Sequence, residues 1–68
     1  MMDWKLLHKS ESQLELDLIA KFLKENHGIE TVLINKQVSG YNLGFWELLI
    51  HQELLEEAKR LLQDTFNL

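Results

Sequence analysis

The chain is predicted to fold as a single α+β domain, with elements in the order strand, helix, strand, strand, helix. Three observations predict this. Two segments repeat apolar residues at the spacing of a helix with one buried face, and three short segments are rich in apolar residues, the second of them β-branched. The 68 residues contain no proline, and nothing in them reads as a linker, repeat or low-complexity tract, so residues 1–68 read as one domain.

Trp4 to Lys9 is the first predicted strand. Its period of two places Trp4, Leu6 and His8 on one face and Lys5, Leu7 and Lys9 on the other. Ser10-Glu11-Ser12 offers helix caps, and Glu15 follows Ser12 at capping-box spacing. The helix beyond gathers Leu16, Ile19, Ala20, Phe22 and Leu23 on one arc, with Leu14 and Leu18 at its margin and Asp17, Lys21, Lys24 and Glu25 opposite. Gly28 suits the left-handed residue that closes a helix, so this one is expected to stop near His27. Ile29 to Asn35 and Phe45 to His51 are the second and third strands. Gln52-Glu53 opens a second helix whose Leu54, Leu55, Ala58, Leu61, Leu62 and Phe66 share a face, with acidic residues in its first turn to complement the dipole.

A right-handed strand–helix–strand crossover leaves a gap beside the first strand, which the third strand fills antiparallel. The expected architecture is a truncated ferredoxin-like βαββα unit: a three-stranded antiparallel sheet, third strand central, with both helices on one face. With Leu68 directly after the second helix, the fourth strand of such a unit is expected to be missing and the first-strand edge to be open. If Trp4, Leu6, Val32, Ile34, Trp46, Leu48 and Ile50 point to the helices, the opposite face presents Leu7, Leu33, Phe45 and Leu49. Lys5, Lys9, Thr31, Asn35 and Glu47 would form its rim. An apolar cluster with a charged rim has the character of an association surface.

Composition excludes several classes of function. A net charge of −4 disfavours nonspecific binding to nucleic-acid backbones or anionic membranes. No apolar run approaches the roughly 20 residues of a membrane span, and Met1-Met2-Asp3-Trp4-Lys5 lacks the form of a secretory signal. Cytoplasmic residence is therefore expected. There is no cysteine, which removes disulfides and thiolate–zinc sites. A domain this small buries only about 60% of its unfolded surface, so a second copy would add useful burial.

No catalytic site, metal or cofactor is expected. His8, His27 and His51 share no ligand spacing, and His51-Gln52-Glu53 matches the His-x-Glu of zinc deaminases without the cysteines that chemistry needs. Glu53, Glu56 and Glu57 read as a solvated helix face. Ser39 lies in no nucleophile motif, and Gly28, Gly40 and Gly44 form no phosphate loop. Nucleic-acid binding is not expected, because Phe45 is the sole aromatic residue assigned to the open face and the RNA-recognition signature is absent. The segment between the second and third strands, Lys36 to Leu43, reads as a wide connection. Asn35, Lys36, Ser39, Gly40, Tyr41 and Gly44 are its candidate recognition residues, able to offer donors to a small anionic ligand or a partner backbone.

Asp3-Trp4-Lys5, Gly28-Ile29, Asn35-Lys36-x-x-Ser39-x-Tyr41, Gly44-x-x-Glu47 and Ala58-Lys59, in this order and spacing, resemble a family of small prokaryotic signal-transducing proteins of unassigned role. The resemblance covers nearly the whole length. It implies a ferredoxin-like unit similar in shape to the nitrogen-regulatory PII proteins, and a bacterial regulatory role. The chain departs from that pattern at Val38 and Phe45, which stand where polar residues are usual. PII-like nucleotide binding is not implied, since no phosphate-contacting motif matches. The expected function is thus a non-enzymatic regulatory or protein-interaction domain that forms a homodimer or binds another protein. The alternative is a sensor of an anionic metabolite.

Overall fold

The computed structural model describes residues 3–38 and 43–68. β1 (Trp4–Ser10) is followed by α1 (Gln13–His27), β2 (Thr31–Val38), β3 (Leu43–His51), a 3-10 turn at Gln52–Leu54, and α2 (Leu55–Phe66). The sheet order is β1-β3-β2 with both pairings antiparallel. This is the predicted truncated ferredoxin-like α+β fold, third strand central.

Local chemistry sets the helix limits. Ser12 has extended backbone angles and its Oγ accepts from the Glu15 N–H at 3.2 Å, covering one of the donors that a helix start leaves open. Gly28 closes α1 at φ 65°, where a side chain would be strained. Its N–H bonds Lys24 O at 3.1 Å, and the Ile29 N–H bonds Leu23 O at 3.0 Å. α2 ends the same way on Asn67, φ 60°, a residue type that tolerates this conformation. The second helix does not begin as an α-helix at Gln52; the 3-10 turn intervenes.

The core is a single layer between sheet and helices. Leu16, Ile19 and Leu23 of α1 meet Ala58 and Leu62 of α2 over Leu48 and Ile50 of β3, with Ile29 closing the α1–β2 connection; all are buried. Both helices therefore lie on one face of the sheet. The molecule measures 38 × 30 × 17 Å, its smallest dimension that of one helix layer on one sheet.

β2, and β1 before its bulge, turn the other way from the alternation predicted for them, while His8 and Lys9 keep their predicted sides. Across from Leu48 and Ile50, which face the helices, β2 places Leu33 and Thr31, so Val32 and Ile34 point to the open side. β1 shifts register between Leu6 and His8, a bulge that admits one extra residue, Leu7. Before the bulge, Leu6 pairs with Leu49 on the open side. After it, His8 and Ser10 pair with Leu48 and Trp46 on the helix side. Leu7 and Leu33 accordingly pack against the core rather than forming an exposed surface, and Trp4 and Leu6 are exposed. Lys5, Thr31 and Asn35 also leave the predicted rim, being opposite Ile50, Ile50 and Trp46.

The connection between β2 and β3 is shorter than predicted. The ladder continues through Lys36↔Phe45, Gln37↔Gly44 and Val38↔Leu43. Lys36 and Gly44 are therefore strand residues rather than part of the connection, and Asn35, the predicted end of the second strand, lies within β2. Ser39, Gly40 and Tyr41 lie outside the described residues.

Candidate functional site

The open side of the sheet is built in rows, because partners across an antiparallel ladder point the same way. Its middle row is Leu6, Leu49 and Val32, one apolar residue from each strand. The next row holds Lys9, Glu47 and Ile34; beyond it lie Phe45 and Lys36. At the other end Trp4 pairs with His51. Of the four residues predicted for this surface, Phe45 and Leu49 lie on it, while Leu7 and Leu33 do not. Trp4, Leu6, Val32 and Ile34 join it instead.

Exposure gives the surface its character. Trp4, Leu6 and Val32 are 41%, 44% and 39% exposed, high values for side chains that a sheet normally buries. Lys9 Nζ sits 5.8 Å from the centre of the Phe45 ring, a cation–π contact that ties β1 to β3 across the face. The Trp4 and His51 rings lie 4.0 Å apart at 31°, and His51 Nδ1 is sealed from solvent with no hydrogen-bond partner among the described residues. An apolar band is thus bounded by Lys9, Glu47 and Lys36 on one side and an aromatic pair on the other.

A polar cluster lies on the opposite side, where β1 meets the start of α1. His8 Nε2 donates to Glu15 Oε1 at 3.0 Å, and Ser10 Oγ donates to Glu15 Oε2 at 2.7 Å. Ser10 Oγ also accepts from the Ser12 N–H at 3.0 Å. The hydrogen bond from Ser10, then that from His8, holds the Glu15 carboxyl below its ordinary value, against a smaller opposing effect of burial. The capping box is therefore half formed: Ser12 caps the Glu15 amide, but the Glu15 side chain turns to β1 instead of back to Ser12. Serine, histidine and carboxylate are brought together here in an order unsuited to nucleophilic catalysis, since both Ser10 and His8 spend their protons on Glu15 and do not meet each other. Periodicity places His8 on the helix-facing side, but capping-box spacing assigns Glu15 to Ser12, so the turn of the Glu15 side chain to His8 and Ser10 is not legible in the sequence.

The other histidine has a packing role. His27 meets the Phe22 ring edge-on at 5.4 Å, and Phe22 meets Phe66 at 5.3 Å and 87°. Among the described residues no group of three or more His, Cys, Asp or Glu could hold a metal ion, and no helix is long and apolar enough to cross a membrane. A shallow cleft of about 360 Å³ between the start of α1 and the end of α2 is lined mainly by Leu14, Leu18, Ile19, Phe66 and Leu68. No family model matches the chain, and no curated protein or solved structure matches it at a significant level.

Proposed function

We propose that the chain is a non-enzymatic regulatory domain that works by protein interaction, and that it associates with a second copy of itself through the open face of the sheet. The observation that carries this reading is the row Leu6–Leu49–Val32, an apolar band across all three strands with both signs of charge beside it. Lys9, Lys36 and Glu47 supply those charges, so each copy offers the other both cations and an anion. The resemblance to small signal-transducing proteins is in keeping with a regulatory role.

Size supports it as well. The accessible surface is 5002 Å², against roughly 4,500 Å² for a compact monomer of this mass. The radius of gyration is 12.3 Å, against about 10.9 Å for a typical domain of this length. A slab with one covered face leaves more apolar area in water than a closed domain does, and a second layer removes it.

Single-stranded nucleic acid fits the face less well. Trp4 and Phe45 are its two largest aromatic residues, but His51, the partner of Trp4, is six positions from Phe45 along β3. That spacing is roughly 20 Å, too far for successive bases to stack on both.

The test is Phe45→Glu, which places a carboxylate on the face near Lys9 and Lys36. The expected result is a lower apparent mass in light scattering with the helical circular dichroism intact. An unchanged mass, or a wild-type chain that stays monomeric at the highest concentration reached, overturns the proposal.

A further inference from the structure

The apolar middle row of the open face has Lys9 and Glu47 on one side and an aromatic pair on the other. Along the strands, the Lys9–Glu47–Ile34 row lies about 7 Å from the Leu6–Leu49–Val32 row, and the Trp4–His51 row lies the same distance beyond it. Lys9 and Trp4 both belong to β1, and Glu47 and His51 both belong to β3. A half-turn about the middle row therefore exchanges a cation with an indole and a carboxylate with an imidazole.

We propose that the second copy packs face to face on the first with its strands antiparallel, about a two-fold axis that runs along the Leu6–Leu49–Val32 row. This packing rests on the face association proposed above and fixes how the two copies meet. Leu6, Leu49 and Val32 each lie over their own counterpart. Lys9 lies over Trp4 of the second copy and Glu47 over His51 of the second copy, each contact occurring twice.

Charge separates this packing from the others open to two stacked sheets. Such sheets keep their strands within about 30° of each other, so a two-fold axis runs either across the strands or along them. An axis along β3 sets Glu47 against Glu47 of the second copy and Lys9 over Ile34. An axis across the strands at the Glu47 row opposes both Lys9 and Glu47 to their own kind. One midway between the rows lays Glu47 over Leu49 and Lys9 over Leu6. Of these arrangements, the Leu49 row alone keeps every middle-row residue on an apolar one and no charge facing its like. A tilt of about 30° moves Lys9 against Trp4 by about 4 Å, less than the spacing of neighbouring strands.

The groups needed are accessible. Trp4, Leu6, Lys9 and Val32 are exposed, and Glu47 is half-buried. Among the described residues neither Lys9 nor Glu47 has an ion pair. Lys9 Nζ, 5.8 Å from the centre of its own Phe45 ring, is open to a second ring on its other side. His51 Nδ1 is sealed, so Nε2 is the nitrogen that meets the carboxylate of the second copy. Phe45 falls past the His51 row of the second copy, beside its Gln52–Leu54 turn, at the margin of the contact.

The experiment is oxidative trapping of single-cysteine variants, each unambiguous because the chain has no cysteine of its own. Leu6→Cys, Leu49→Cys and Val32→Cys are each expected to form disulfide dimers with themselves. Lys9→Cys mixed with Trp4→Cys should give the mixed dimer. Glu47→Cys should give none, its counterpart being displaced about 14 Å along the strands. A Glu47→Cys dimer, or no product from the Lys9→Cys and Trp4→Cys mixture, overturns the packing. Light scattering over a concentration series supplies a second measure. Lys9→Glu should weaken association about tenfold and Lys9→Arg by about twofold or less, with the helical signal unchanged in both. Equal loss from the two overturns the contact with Trp4. A dimer that Phe45→Glu dissociates but that traps through Glu47→Cys keeps the face association and rejects this packing. A wild-type chain that is monomeric throughout, or a mass that Phe45→Glu leaves unchanged, rejects the face association and this packing with it.

Discussion

Val32 and Leu33 are consecutive, yet the sheet sends them to opposite sides, and a glutamate at each position should have opposite consequences. Leu33 pairs with Leu48, which is fully buried, and packs against the core. Leu33→Glu forfeits about 1.5–3 kcal/mol of apolar burial and brings a carboxylate with no partner against the leucine cluster, at a cost of about 2 kcal/mol or more. A domain of 68 residues has a total stability of roughly 3–10 kcal/mol. Leu33→Glu should therefore leave the chain largely unfolded, or lower its thermal midpoint by about 15 °C or more. Val32 is 39% exposed on the open side, and Val32→Glu loses only strand preference, about 1 kcal/mol or less. Its midpoint should fall by no more than about 8 °C. The assay is thermal unfolding followed by helical circular dichroism at low protein concentration, where self-association adds little stability. Equal damage from the two substitutions, or greater damage at Val32, would refute the assignment of faces on β2 and the surface built on it.

Two other substitutions probe the ends of α1. Gly28→Ala finds open space around the new methyl group but keeps φ near 65°, so it should cost about 1–2 kcal/mol of backbone strain, seen as a midpoint lower by about 4–16 °C. Glu15→Gln removes the carboxylate that accepts from Ser10 and His8. Because the folded protein holds the Glu15 carboxyl below its ordinary value of 4.5, the unfolded chain takes up the proton first on acidification. The stabilisation is thus fully present above that value and lost as pH falls through the lowered one. Wild type should lose stability more steeply than Glu15→Gln over that acidic range in denaturant titrations; parallel curves would show that the pairing contributes nothing measurable.

The helices and the topology were legible in the sequence, and the faces of two strands were not. Periodicity in α1 and α2 is strong because each has a polar side: Asp17, Lys21 and Lys24 oppose Leu16, Ile19 and Leu23, so the buried arc declares itself. β3 is legible for the same reason, Glu47 alternating with Trp46 and Leu48. In β2, Val32-Leu33-Ile34 is apolar throughout, and a continuous apolar run carries no information about which side is buried. β-branched residues were assigned inward where the sheet needed the leucine. In β1 alternation fails because a bulge changes the phase within the strand, and nothing in Leu6-Leu7-His8 marks it. The connection after β2 reads as longer than it is because Lys36 and Gln37 are polar, although Lys36, opposite Phe45 on the open side, needs no apolar side chain to stay in the ladder. The candidate site inherited these errors: Phe45 and Leu49, on the legible strand, were placed on the open side, while Leu7 and Leu33 exchanged places with Leu6, Val32 and Ile34.

The irregularity in β1 also bears on how this chain is to be compared with others. Leu7 has no counterpart in the ladder, with Leu6 and His8 meeting consecutive residues of β3. A chain shortened by that one position would keep every backbone pairing on either side and would forfeit a leucine from the interior. Length variation here is thus tolerated by topology and charged to packing, and an alignment that forbids a gap at position 7 would set the open side of one molecule against the inner side of another.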